Sequence, residues 1–122
     1  MKKILIIDDD REMADLIRTL LRYYQYEVLV AYDPRKGIAI AQKKQPHLIL
    51  MDVLMPTMNG REACRRLKES EKTKDIPVIF LTAKDSPDDI VGEIEAGGVG
   101  HLTKPFDSKT LLEKIREFTE EK

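Results

Sequence analysis

The sequence predicts an α/β domain: a five-stranded parallel sheet, doubly wound, with five helices covering both faces. Three observations predict it. Strand-length apolar runs alternate five times with stretches of helical apolar spacing. The connections between them are short, and several strand runs are continuously apolar, as burial on both sheet faces requires. At 122 residues the chain holds one core, so residues 1–122 are taken as a single domain.

Lys3 to Ile7 is the first strand, and Met13, Leu16, Ile17, Leu20 and Tyr24 recur at helical spacing after it. Glu27 to Ala31 is the second strand. Asp33-Pro34 supplies a cap and a first-turn proline for a helix reaching about Lys44. Gln45-Pro46 stops that helix, and Leu48 to Met51 forms the third strand. A turn from Pro56 to Gly60 leads into a short helix bearing Ala63, Cys64 and Leu67. Pro77 to Leu81 is the fourth strand. Ser86-Pro87-Asp88-Asp89 opens a helix with acids near its dipole's positive end, carrying Ile90, Val91 and Ile94. Gly92 weakens this helix by about 1 kcal/mol relative to alanine. Glycines 97, 98 and 100 end it, Gly100 to Thr103 is the fifth strand, and Asp107 or Ser108 caps the last helix.

Composition narrows the function. Apolar residues at 42% and charged residues at 35% describe a folded globular chain. A net charge of −1 gives no basic excess for a nucleic-acid backbone, so direct DNA binding is not expected. The apolar runs are too short for membrane insertion, and MKKILII reads as a strand rather than a signal peptide. One cysteine, Cys64, fits a cytoplasmic protein.

The chemistry gathers at strand ends. Asp8 and Asp9 follow the first strand, Asp52 closes the third, Thr82 the fourth, and Lys104 follows the fifth. In a parallel sheet these ends share one edge, outside which ligands bind. Three carboxylates there repel one another. Lys104 offsets one charge, and Mg²⁺, which takes hard oxygen ligands, offsets two more. An ionised Asp52 in apolar surroundings is a candidate nucleophile toward phosphorus. Lys104 precedes Pro105, and a cis peptide there would aim the lysine inward. Singly, each residue has an ordinary explanation: a solvated loop, a strand-end hydroxyl or a surface lysine. Together they describe a metal and phosphoryl site.

The segments IDD, LILMDVLMPTMNG, FLTAK and TKPF resemble the CheY-like receiver domain of two-component response regulators, in order and over essentially the whole chain. The resemblance implies a flavodoxin-like fold with strand order 2-1-3-4-5. It further implies that Asp52 is the phosphoacceptor and that Asp8, Asp9, Asp52 and the Leu54 carbonyl bind Mg²⁺. Thr82 and Lys104 would bind the phosphoryl oxygens. The donor would be a sensor histidine kinase or a histidine phosphotransfer protein, docking on a patch of Met13, Ala14, Pro105 and Phe106. A downstream protein would read the face of the fourth helix, fifth strand and fifth helix.

The chain departs from the family pattern at one switch position. His101 stands where the family usually has the tyrosine or phenylalanine that moves with Thr82. An imidazole there is expected either to act as the switch or to sit as an edge residue. Leu54 and Lys84 occupy the two positions that tune phosphoryl hydrolysis in the family, and leucine cannot orient an attacking water. The tyrosines at 23, 24 and 26 are expected in packing roles, and His47 in a structural one.

The leading expectation is a stand-alone signalling receiver, its own phosphorylation and dephosphorylation being the only reactions it assists. A receiver excised from a longer regulator is the alternative. An aspartyl phosphatase fits less well, because it wants an acid where Leu54 stands. A nucleotide-binding module lacks its glycine-rich loop, since Asp8-Asp9-Asp10 fills that position. The kinase, the downstream target and any phosphorylation-linked dimer are not named by the sequence.

Overall fold

A computed structural model describes residues 1–83 and 86–120. The expected alternation is present: β1 Lys3–Ile7, α1 Arg11–Tyr23, β2 Glu27–Ala31, α2 Pro34–Lys44, β3 Leu48–Asp52, α3 Gly60–Glu69, β4 Val78–Thr82, α4 Pro87–Glu95, β5 Gly100–Thr103 and α5 Ser108–Thr119. All strand pairs are parallel, in the order β2-β1-β3-β4-β5.

Strand alternation sends apolar side chains to two separate cores. Ile4, Ile6, Leu48, Leu50, Ile79 and Leu81 face α1 and α5, whose Ala14, Ile17, Leu21, Leu111, Leu112 and Ile115 complete one core. Leu5, Ile7, Ile49, Met51 and Phe80 face the other way, against Ala41 of α2 and Ala63, Cys64 and Leu67 of α3. β3 and β4 are buried along their whole length, so the central strands are anchored from above and below.

Side-chain caps set the helix starts. Asp10, Asp33, Asn59, Ser86 and Asp107 each accept from a backbone N–H of the first turn of α1 to α5 in order. His47 is structural, as expected: the Lys3 backbone N–H donates to its Nδ1 at 2.9 Å, where β1 begins.

The tyrosines take the core and helix-end packing roles expected of them: Tyr26 packs against the core, while Tyr23 and Tyr24 lie at the end of α1, Tyr23 79% exposed, their rings edge-to-face at 5.2 Å. Two expectations fail. The buried stripe of α1 is Ala14, Ile17 and Leu21, which leaves Leu16 exposed. On α4, Val91 and Ile94 are 50% and 64% exposed, while the acid Glu93 is buried. Lys84, expected to tune hydrolysis, lies outside the described residues.

Gly60 opens α3 directly against the end of β3. Its N–H donates to the Val53 carbonyl at 2.8 Å. A Cβ there would overlap the Asp52 carbonyl oxygen and lie 3.0 Å from Val53 Cα. Backbone atoms cannot yield as a flexible side chain would. Gly60→Ala is therefore expected to lower the free energy of unfolding by about 1–3 kcal/mol, read from the denaturant midpoint.

Candidate functional site

The four strand ends and their following residues meet at one edge. Asp8, just past β1, is fully buried, and one of its carboxylate oxygens accepts from the Asp10 backbone N–H at 2.9 Å. Asp9 beside it is exposed. Asp52, the last residue of β3, is buried. Asp8, Asp9 and Asp52 can each present a carboxylate oxygen within 4.8 Å of the others. Asp10 does not join them; its carboxylate caps α1, accepting from Met13 N–H at 3.1 Å.

Lys104 reaches this cluster from beyond β5. Its Nζ lies 3.3 Å from Asp8 Oδ2 and 3.3 Å from Asp52 Oδ1. Its backbone N–H donates to the Thr82 carbonyl at 2.7 Å, and the Lys104–Pro105 peptide is cis, as the sequence suggested. Thr82, the last residue of β4, is buried one position beyond Leu81, the register partner of Asp52. Leu54, two residues beyond Asp52, is 54% exposed.

Burial and the neighbouring Asp8 charge push the Asp52 carboxyl up to about 7, against the pull of Lys104. Burial alone would lower the Lys104 ammonium, but Asp8 and Asp52 outweigh it and the net shift is upward. The carboxylates are thus held together at a cost, and one ammonium does not neutralise them. Clustered hard oxygen donors with surplus negative charge suit a magnesium-like ion.

The remaining expected residues sort differently. His101 lies on the edge strand β5, partly exposed, and is bonded at both ring nitrogens. Its Nδ1 lies 2.6 Å from Glu93 Oε1 and its Nε2 lies 3.0 Å from Thr103 Oγ1. The apolar patch beside the site is a cleft of about 210 Å³ lined by Met13, Leu16, Ile17, Leu20, Pro105 and Phe106, with Leu111 beneath. Ala14, expected there, is fully buried in the core below it. Helical spacing could have placed Leu16 and Leu20 there. Nothing in the pattern marked Glu93 or Arg61 as partners in one cluster.

Comparisons with known proteins show the family and the fold. The chain matches the family described as the response regulator receiver domain over residues 4–116. It is 41% identical over 116 residues to the DNA-binding dual master transcriptional regulator RpaA of Synechocystis, covering 95% of this chain and 48% of that protein. The chain thus spans about half the length of this curated relative. Among solved structures it superposes on chemotaxis protein CheY4 of Vibrio cholerae with a TM-score of 0.93 at 33% identity, covering 97% of this chain and 98% of that one. The receiver domain of sensor histidine kinase PA1611 from Pseudomonas aeruginosa, solved with a magnesium ion coordinated in its active-site cleft, gives 0.89 at 27% identity, with 96% of each chain covered. No helix among the described residues is long and apolar enough to cross a membrane.

The raised Asp52 value sets a pH dependence. The folded chain holds this proton more tightly than the unfolded chain, whose carboxyl titrates near 3.8. Between about 3.8 and about 7 folding takes up a proton, so this contribution to stability falls as pH rises. Without divalent ions, unfolding midpoints of Asp52→Asn should lack this decline, and the variant should be the more stable at about pH 8. Thermal melts of parent and variant at about pH 5 and about pH 8 check it.

Proposed function

The chain belongs to the response regulator receiver domain family, and from that premise we propose that it is a switch operated by phosphorylation of Asp52. The observation that carries the reading is Lys104 Nζ held 3.3 Å from Asp52 within a buried acidic cluster at the sheet edge. A nucleophile, a cation to receive phosphoryl oxygens and a hydroxyl donor stand together on three strand ends.

The donor is a histidine kinase or a histidine phosphotransfer protein, met in the cytoplasm. An Asp52 carboxylate oxygen attacks the phosphorus of the phosphohistidine. The new P–O bond forms as the P–N bond breaks, and the leaving imidazole takes a proton from water. Lys104 turns from the Asp52 carboxylate to the added phosphoryl oxygens, and the Thr82 hydroxyl donates to another. Asp8, Asp9, Asp52 and the Leu54 carbonyl would hold Mg²⁺, whose charge offsets the crowded carboxylates and the incoming phosphoryl group. Asp8 remains paired with Lys104 and limits how far the ammonium withdraws.

The cleft of Met13, Leu16, Leu20 and Phe106 is where the donor protein's helix docks. Burying a phosphoryl charge at Asp52 then biases the packing of α4 and β5, which a downstream protein reads. This domain makes no direct contact with DNA; its charge of −1 offers no surplus for phosphates. The same chemistry serves a stand-alone switch or the receiver of a longer regulator. An aspartyl phosphatase would need an acid at position 54, where leucine stands.

Incubation with acetyl phosphate followed by intact mass tests the reading. One phosphoryl group should appear on the parent only with Mg²⁺, and none on Asp52→Asn. Labelling that persists in Asp52→Asn would move the acceptor elsewhere. Leu54→Asn should lose its phosphoryl group several-fold faster than the parent, because an amide can orient the attacking water and an exposed leucine cannot. Decay curves by phosphate-affinity electrophoresis read that difference.

A further inference from the structure

α4 is anchored unlike the other helices. α1, α3 and α5 each bury three or more residues, nearly all apolar, whereas the one buried residue within α4 is Glu93, 2% exposed. Its apolar Val91 and Ile94 face solvent, Ile90 is half-buried, and the C-cap Ala96 is the apolar residue buried in the core. Along the helix itself, the buried contacts that tie α4 to α3 and β5 run through polar groups. Arg61 on α3 donates through Nη2 to the Asp89 carbonyl at 3.2 Å and to Asp89 Oδ1 at 3.1 Å, in the first turn of α4. The same Nη2 lies 4.0 Å from Glu93 Oε2. Glu93 Oε1 meets His101 Nδ1 on β5, and His101 Nε2 meets Thr103, the residue before Lys104.

The contacts close a ring around the end of β4. Asp52 leads through Val53 and Gly60 to Arg61, then to Asp89 and Glu93, to His101 and Thr103, and through Lys104 back to Asp52. Thr82 lies between its two sides, paired through β4 with β3 and β5. The ring is incompletely bonded: Arg61 Nε and Glu93 Oε2 are buried with no hydrogen-bond partner. A buried polar network short of partners is poised to open, because each unmade bond leaves an uncompensated desolvation cost.

We propose that Arg61, Glu93 and His101 form a polar latch that seats α4 and so positions the segment carrying Thr82, and that the phosphorylation state of Asp52 is read through its opening. The regulatory half rests on Asp52 being the phosphoacceptor; the latch itself does not. Arg61 and Glu93 are positioning residues, since neither touches the acidic cluster. Gly92 belongs to the same device. A Cβ at 92 would lie 2.9 Å from Arg61 Nη1 and 3.0 Å from its Cζ, so the absence of a side chain is what lets the guanidinium cross α4.

Gly92 supplies a test with opposite signs. Helix propensity alone predicts that Gly92→Ala tightens α4. The latch predicts that it loosens α4, because the methyl group displaces Arg61. Amide hydrogen exchange over residues 87–95 would be followed in the parent, Gly92→Ala, Arg61→Met, Glu93→Gln and the Arg61→Met/Glu93→Gln double variant, all without phosphate. Each variant should exchange about tenfold faster there, core strands should be unchanged, and the double variant should be no faster than a single one. Slower exchange in Gly92→Ala, or additive effects in the double variant, would overturn the latch. With acetyl phosphate and Mg²⁺, the parent should gain exchange in α4 and the variants gain little more. An equal gain in parent and variants would overturn the regulatory half. Failure of the parent to take a phosphoryl group would instead refute the function proposed above, with the phosphate-free comparison still deciding the latch.

Discussion

Everything at the reactive edge depends on two carboxylates kept out of water beside each other. Asp8 is fully buried and Asp52 nearly so, and one ammonium stands 3.3 Å from both. Desolvation penalises the Asp52 charge, and the Asp8 carboxylate beside it raises the Asp52 carboxyl further. The parallel sheet imposes this arrangement, because β1, β3 and β5 run the same way and their ends cannot be separated. Two packed cores hold those ends rigidly, so the strain cannot relax by spreading the strands. It is available instead to whatever brings further positive charge.

Much of this is legible in the sequence. Continuous apolar runs identified the strands, and their shared polarity carried Asp8, Asp52, Thr82 and Lys104 to one edge. Proline and aspartate punctuation placed the starts of α2, α4 and α5. What the sequence hid lay in contacts between elements. Periodicity made Val91 and Ile94 look like a buried stripe, yet the sheet-facing position of α4 went to Glu93, since Arg61 and His101 wait there with complementary charge and donors. Local pattern has no term for a charge supplied by another helix.

His101 shows how a family position can keep its place and change its physics. An aromatic ring there would be held by packing alone and could turn between two apolar settings. The imidazole is bonded at both nitrogens, to Glu93 and to Thr103. Its movement breaks specific bonds rather than exchanging one contact surface for another. Motion at this position is consequently tied to α4 and to the residue preceding Lys104, which an unbonded ring would not require.

Cys64 looks incidental, a small apolar residue facing the sheet from α3. It is fully enclosed, and burial pushes its thiol up to about 11. Almost no thiolate exists at neutral pH, and no reagent reaches the sulfur while the domain stays folded. These 122 residues are thereby a quiet background for thiol-directed probes. A single cysteine engineered on the exposed face of α4 would carry a fluorophore or spin label selectively, with no native residue first removed from the core.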